Sequence, residues 1–342
     1  MKKLSIVLIV ISLLAMVGCA KNTSTQTTTA GSKTALSKKI SVVYGHGFAP
    51  GSPQALAAEE FKTRIETACP QMSVEVFPSG QLGSAQEMFE SVQMGSQQIA
   101  LLPTARISGF NSSLQIFDLP FLFNDKETAY KMFDGEVGAN ILKTLEKNGV
   151  YGLAIYEDGF KHFTANSPLT GISSFKGKKF RTMESPIIME QFKALGANPT
   201  PVDFSELYTA LQQGTVDGQE NPLVTIDSVK LYEVQKYLLL SSHAYLGHVF
   251  IVNKAWYDSL SADEKKEVNT IAKEVASWER ALVAEKETGF LETIKNAGVT
   301  VNSLSEAERA KMEEAVAGVY KVAENIVGKD LLDSVLTALG KN

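Results

Sequence analysis

Arg181 is the residue whose type and position could support the most specific chemistry in this sequence. It ends a short β-like run that begins at Lys178, and Pro186 follows it closely. Proline suits the first turn of a helix and favours an extended chain before it, so Arg181 is predicted near a strand-to-helix junction. Such junctions collect ligands in open α/β sheets, and guanidinium holds a carboxylate by two parallel hydrogen bonds. The residues alone leave two interpretations of Arg181 open, an ordinary surface ion pair and an anion site.

The sequence carries none of the common motifs for enzyme, metal or nucleotide chemistry. G-x-S-x-G, H-E-x-x-H, C-x-x-C and the phosphate-binding loop are all missing, and the four histidines lack a ligand spacing. A glycine-rich loop, residues 45–53, follows the first predicted strand, but its spacing and two prolines disfavour a dinucleotide site. We therefore predict no catalytic activity, no metal and no cofactor.

The first residues have the layout of a secretory signal. Two lysines precede an apolar run, residues 4–17, which is short for a membrane span, and Cys19 follows a glycine at its end. We predict a lipoprotein signal peptide at residues 1–18 and lipidation of Cys19, with ordinary cleavage nearby as the alternative. Residues 19–39 are rich in Thr, Ser and Lys and predict a flexible tether. The chain would then meet the membrane only through its lipid anchor.

Charge and composition narrow the partners further. Removal of residues 1–18 would leave 324 of the 342 residues and, through loss of two lysines, change the net charge from −5 to −7. An acidic chain argues against nucleic-acid binding, so attraction for an organic anion must be local to a pocket. With Cys19 acylated only Cys69 remains as a thiol, which excludes a disulfide framework. A hydrophobic content of 44% supports two cores of ordinary domain size.

Five segments resemble the solute-binding subunits of TRAP transporters, the DctP-type family: residues 181–186, 194–201, 204–214, 216–222 and 232–237. The resemblance continues more thinly from residue 40 to about residue 280. It implies a monomeric periplasmic protein that captures a small carboxylated solute and delivers it to a membrane permease with small and large subunits. The substrate-binding lipoprotein of an ATP-driven (ABC) importer shares the export signal, tether and two lobes, and it is the alternative.

The resemblance and the strand pattern together predict an α/β fold of two domains, like that of periplasmic binding proteins, with a ligand cleft between them. Strands at residues 150–156, 233–240 and 249–252 are expected to lead into hinge segments that cross between the domains. A long helical pattern, residues 262–297, is expected to span both domains. Domain I is placed at residues 40–158 with 247–286, and domain II at 159–246 with 287–342.

Two further residues are expected beside Arg181 in the cleft. Asn221 precedes a proline at the end of a short strand and would present a side-chain amide. Phe204 precedes a short predicted helix, residues 205–213, and is expected as a wall of the pocket, with core packing as its alternative.

Four more candidates come from loops that the resemblance places near the ligand. His46, in the glycine-rich loop, is a candidate hydrogen-bond donor, and Thr104 lies in the loop after the third strand. Glu87 could act at the cleft, or could serve only as the cap of its helix. Lys161 stands where many members of the family have an arginine, so it is expected as a second cation and a point charge.

The solute is expected to be a sugar acid, such as a hexuronate or keto-sugar acid, rather than a C4-dicarboxylate. The segments around Arg181 and Asn221 are most similar to members that carry sugar acids, and His46, Glu87 and Lys161 would offer partners for hydroxyl groups. Pro103 stands where some sialic-acid-binding members have an acid, which disfavours sialic acid.

Overall fold

A computed structural model gives the structure of residues 39–341. The predicted signal peptide, the lipidation at Cys19 and the tether up to residue 38 lie outside the described residues. No helix within residues 39–341 is long and apolar enough to cross a membrane.

One mixed β-sheet organises the described chain. Its order is β2-β1-β3-β8-β4-β7-β5-β6, and β9 pairs with β8 outside this path. The strands are β1 (Ile40–His46), β2 (Met72–Phe77), β3 (Ile99–Pro103), β4 (Val150–Ala165), β5 (Lys179–Thr182), β6 (Asn198–Pro201), β7 (Gly218–Pro222), β8 (Tyr237–Asn253) and β9 (Thr300–Ser303).

The sheet is parallel on its two sides and antiparallel where the long strands cross its middle. Strand β1 runs parallel to β2 and β3, and β5 runs parallel to β6 and β7. Strands β4 and β8 pair antiparallel with each other; β4 also pairs antiparallel with β7, and β8 with β3. The carboxyl ends of β1, β3, β5 and β7 are therefore available to carry loops that bind a ligand.

The two long strands differ from their predicted form. Residues 233–240 and 249–252 were expected as separate strands, but Tyr237–Asn253 is one continuous strand. It pairs with β4 from Val150↔Asn253 to Ala165↔Tyr237, and the register shifts three times along the way. The polar residues at the apparent break stay in the strand because Nδ1 of His162 accepts from the backbone of Ser241 and Ser242.

Helices cover the sheet, and most of them lie within two residues of their predicted bounds. The region expected as one helix over 137–147 is a helix followed by a 3₁₀ turn, Thr144–Asn148. The helices in the described residues are α1 (Pro53–Ala68), α2 (Ala85–Met94), α3 (Lys126–Asp134), α4 (Glu136–Lys143), α5 (Pro186–Ala194), α6 (Phe204–Gln212), α7 (Leu223–Ser228), α8 (Lys254–Ser259), α9 (Ala262–Asn296), α10 (Glu306–Val316), α11 (Val319–Val327) and α12 (Lys329–Ala338).

The long helix α9 is confirmed at 35 residues. It begins with a capping box between Ser261 and Glu264 and passes through Gly289 without a break. One glycine costs a helix only about 1 kcal/mol, which the packing of α9 offsets. Helix α9 contacts α1, β4 and α7, so it packs against elements from both sides of the sheet.

Three groups of buried apolar side chains form the core of residues 39–341. One lies between β1, β2, α1 and the first half of α9, and a second joins α6, α7 and the end of α9. The largest includes residues on both sides of the predicted domain boundary, from Ala85 in α2 to Val335 in α12. The domain boundaries given above stay a prediction.

Candidate functional site

The carboxyl ends of the parallel strands surround a cavity of about 540 Å³. Its walls come from the loop after β1, the start of α2, the turn after β3, the end of β5, the start of α6 and the end of β7. The middle of β4 and the middle of β8 close it from the crossing strands. A cavity of this size holds a small metabolite.

The structure brings four of the seven predicted ligand residues to this cavity. Among residues 39–341 the lining includes Arg181, Asn221, Phe204 and Glu87, and it leaves out three others: Lys161, His46 and Thr104. The three that lie outside the lining are fully buried and have partners within the chain. The assignment of ligand contacts to all seven stays a prediction.

Arg181 lies on β5 and is only 1% exposed, yet most of its donors are unused. Its Nε donates to the carbonyl oxygen of Val202 at 2.9 Å, which fixes the plane of the guanidinium group. Within residues 39–341 neither Nη donates to a protein acceptor. Burial and the nearby positive charge of Arg106 lower the pKa of Arg181 to about 9, so it remains charged at neutral pH. A buried, charged guanidinium group with unused Nη donors is suited to bind an incoming carboxylate.

Arg106 is a second cation at the cavity that the sequence reasoning missed. It lies in the turn after β3, pairs with Asp203, and stands 5.9 Å from the centre of the Phe204 ring. The signal that singled out Arg181, an arginine at the carboxyl end of a strand, applies to Arg106 as well. Phe204 lines the cavity, and the guanidinium of Arg106 lies over the face of its ring.

Lys161, which was expected as a second cation for the ligand, already forms an ion pair with Glu220. Its side chain is fully buried, and Nζ lies 2.5 Å from Oε1 of Glu220. The other carboxylate oxygen of Glu220 accepts from Gln191 at 3.0 Å and lies 2.7 Å from Nε2 of His243. Burial raises the pKa of Glu220, but Lys161 and His243 outweigh it and lower the pKa to about 2. Glu220 therefore remains the counter-charge of Lys161.

His46 and Thr104 lie just behind the loops that line the cavity. Nδ1 of His46 accepts from the backbone of Phe48 at 3.2 Å, while its Nε2 has no partner in the described chain. Burial lowers the pKa of His46 to about 4, so the ring is neutral at pH 7. Thr104 donates its hydroxyl to the carbonyl oxygen of Gly247 at 3.3 Å.

Glu87 caps its helix and also lines the cavity. Its carboxylate accepts from the backbone of Ser84 at 2.7 Å and completes the capping box of α2, which confirms the cap. Those hydrogen bonds lower the pKa of Glu87, so it is ionised where it lines the cavity. Asn221 also lines the cavity, and its side-chain amide donates to Gln219.

Two further polar residues of the lining, Asp158 and His248, come from the crossing strands and were not predicted as ligand residues. They lie 90 positions apart in the chain, and pairing of β4 with β8 brings them together. In residues 39–341 no group of three His, Cys, Asp or Glu side chains could hold a metal ion.

The fold and this cavity define a solute-binding protein, and the comparisons with known proteins agree. Residues 44–325 match the family DctP, described as bacterial extracellular solute-binding protein, family 7. The C4-dicarboxylate-binding periplasmic protein DctP of Rhodobacter capsulatus is 35% identical over 307 residues, which is 89% of this chain and 92% of that protein.

Solved structures of similar proteins cover nearly the same length. The sugar acid binding protein DctPAm of Advenella mimigardefordensis, in complex with galactonate, has a TM-score of 0.86 and 36% identity over 89% of this chain and 99% of that one. A TRAP periplasmic solute-binding protein of Desulfovibrio salexigens with bound orotic acid has a TM-score of 0.86 and 34% identity, with the same coverage.

The chain belongs to the DctP family of TRAP solute-binding proteins. The predicted family and the predicted two-domain α/β fold are confirmed. The family match also favours the TRAP system over the ATP-driven importer that was the alternative.

Proposed function

We propose that the protein captures a small organic acid anion outside the cytoplasm and delivers it to a TRAP permease. The observation that carries this proposal is Arg181, a buried guanidinium whose two Nη groups donate to no residue of the described chain. An unpaired charge in a cavity is costly, and a carboxylate ligand would supply both the counter-charge and the hydrogen bonds.

The surroundings of Arg181 support a carboxylate over a neutral ligand. Arg106 adds positive charge to the same cavity, and its pairing with Asp203 leaves Arg181 as the open donor. The three relatives named above bind, by their descriptions, a C4-dicarboxylate, galactonate and orotic acid, and each of these ligands carries a carboxylate. Asn221, Phe204 and Glu87 then contact the remainder of the ligand.

The crossing strands provide the hinge for capture. Domains at residues 40–158 with 247–286 and 159–246 with 287–342 would meet at the cavity, and β4 and β8 would flex between them. Gly159 stands at one register shift with a φ of 104°, and Ser242 has a φ of 45°. Ligand that binds the closed form better than the open form shifts the population towards closure, which a permease can recognise.

The first residues and the family support the proposed location and partners. Residues 1–18 would direct export, Cys19 would carry the lipid anchor, and the monomer would serve a permease driven by an ion gradient. Uptake in reconstituted vesicles that requires a sodium gradient and no ATP is the expected result. Uptake that requires ATP and ignores the gradient would assign the protein to the ATP-driven class.

A thermal-shift screen of the purified protein tests the proposal. Uronates, aldonates, succinate, malate and aromatic acids are each added, with neutral sugars of matched size as controls. A true ligand at about a hundred times its Kd adds roughly 2.7 kcal/mol to stability, which a melting curve detects. Stabilisation by neutral sugars, with none from any organic acid, would overturn the proposed function.

A further inference from the structure

The cavity wall formed by the crossing strands contains two buried polar atoms without a partner. Oδ1 of Asp158 and Nδ1 of His248 make no hydrogen bond in the described chain. The side chains are 5% and 1% exposed, and both line the cavity that contains Arg181. Buried polar atoms are almost always hydrogen-bonded, so two unpartnered atoms in residues of one cavity wall point to groups that pair when a ligand is present.

Neighbouring residues hold both side chains in place. Thr225 donates its hydroxyl to Oδ2 of Asp158 at 2.9 Å, and that same oxygen lies 3.8 Å from Nε2 of His248. The ring of Phe48 meets the imidazole edge-on, with centroids 4.7 Å apart. Neither side chain is therefore free to turn away and find a partner elsewhere.

The two groups offer a different chemistry from the arginines. Burial and the charge of Arg106 lower the pKa of His248 to about 3, so its ring is neutral and has one donor and one acceptor nitrogen. Burial, supported by Glu157, raises the pKa of Asp158 to about 7, so its carboxyl is ionised under mildly alkaline conditions. An ionised carboxylate accepts from a hydroxyl group and repels a second carboxylate.

We propose that Asp158 and His248 select the solute: they hydrogen-bond the hydroxyl groups of a hydroxylated monocarboxylate, and Asp158 disfavours a ligand with a second carboxylate. This inference rests on the proposed function, since the first carboxylate is held at Arg181. It assigns the cavity two kinds of binding group, the cationic arginines and the pair on the crossing strands that accepts hydroxyl groups. A sugar acid has the matching polarity, and a dicarboxylate does not.

The test compares two anions that differ only at one end. D-galactonate and galactarate share their chain length and their four secondary hydroxyl groups, but galactarate has a carboxylate where galactonate has a primary alcohol. Calorimetry at pH 8 measures both on the purified wild-type protein and on Asp158→Asn. The control is Asp227→Asn, because Asp227 lies on the same helix as Thr225 and outside the cavity lining.

Wild type is expected to bind galactonate at least about tenfold more tightly than galactarate, and Asp158→Asn to reduce that ratio by about tenfold or more. The asparagine amide can donate to a carboxylate, so galactarate gains what galactonate loses. Asp227→Asn keeps the wild-type ratio. His248→Phe, which removes both nitrogens, is expected to weaken galactonate by about tenfold.

Two results would overturn the inference and leave the proposed function intact. One is tighter binding of galactarate than of galactonate by wild type, and the other is an unchanged ratio in Asp158→Asn, which would mean that these atoms only hold water. Unchanged galactonate affinity in His248→Phe would show that His248 takes no part in selecting the solute. Failure of wild type to bind any organic acid would refute the proposed function itself, and the inference with it.

Discussion

Replacement of Lys161 by methionine tests whether this residue acts through stability or through the ligand. Methionine fills a similar volume and removes the charge, so Glu220 keeps its hydrogen bonds to Gln191 and His243 but loses the ammonium 2.5 Å away. Removal of one partner from a buried ion pair costs about 3–5 kcal/mol. The remaining hydrogen bonds of Glu220 favour the lower part of that range, about 3 kcal/mol.

The double variant Lys161→Met/Glu220→Gln separates the pair from its surroundings. Glutamine keeps the shape of Glu220 and an oxygen that can accept from Gln191, and no charge remains without a partner. Replacement of both members of a buried pair by neutral groups is often close to neutral, so stability is expected to return to within about 1 kcal/mol of wild type. Glu220→Gln alone leaves the ammonium of Lys161 buried and should be as costly as Lys161→Met.

Urea denaturation is the assay, followed by circular dichroism and by the fluorescence of Trp256 and Trp278, whose transitions must coincide for two-state treatment. Calorimetry with a bound organic acid, on the folded single variant, measures affinity in parallel. The expected result is a large loss of stability in Lys161→Met with affinity nearly retained. Unchanged stability together with a loss of affinity of tenfold or more would refute this reasoning and restore Lys161 as a direct ligand.

Two further predictions concern the frame of the site. The pKa of Glu157 is raised from an unfolded value of about 4.3 to about 7 by burial, so its stabilising contribution is complete below pH 4 and is lost as the pH rises to 7. Glu157→Gln removes this titration, so the slope of unfolding free energy against pH should become more positive by up to roughly 1.4 kcal/mol per pH unit, the equivalent of one proton. Urea denaturation between pH 5 and 7 measures the slope, and an unchanged slope would contradict the prediction. Gly218→Ala should destabilise by about 1–3 kcal/mol, because its Cβ would lie 2.3 Å from the carbonyl oxygen of Thr164, and an equally stable variant would contradict that contact.

Local signals in the sequence were sufficient for most of the secondary structure. The capping box at Ser84 and Glu87 and the one at Ser261 and Glu264 mark helix starts that the structure has at those positions. These patterns work because cap, turn and periodicity are determined by neighbours a few residues apart. The single strand Tyr237–Asn253 was missed because its continuity depends on pairing with β4 and on His162.

The site was predictable only in part, for the same physical reason. Arg181 could be found because its flanking residues place it at the end of a strand and because its segment resembles the DctP-type family. The partner of Lys161 lies 59 residues away on β7, and no short-range pattern shows that Glu220 neutralises it. Asp158 and His248 are also brought together only by the long antiparallel pair, so their shared wall could not be predicted from the sequence.

Calorimetry of Arg181→Lys with the tightest organic acid from the screen tests the central claim most directly. Lysine keeps the charge but cannot donate the two parallel hydrogen bonds of a guanidinium group. The affinity for the acid should therefore fall by about 10-fold to 150-fold, the equivalent of roughly 1.5–3 kcal/mol. The matched control is Arg64→Lys on α1, an arginine that pairs with Glu60 away from the cavity, and it should bind as wild type does. Unchanged affinity in Arg181→Lys would contradict the assignment of the carboxylate to Arg181.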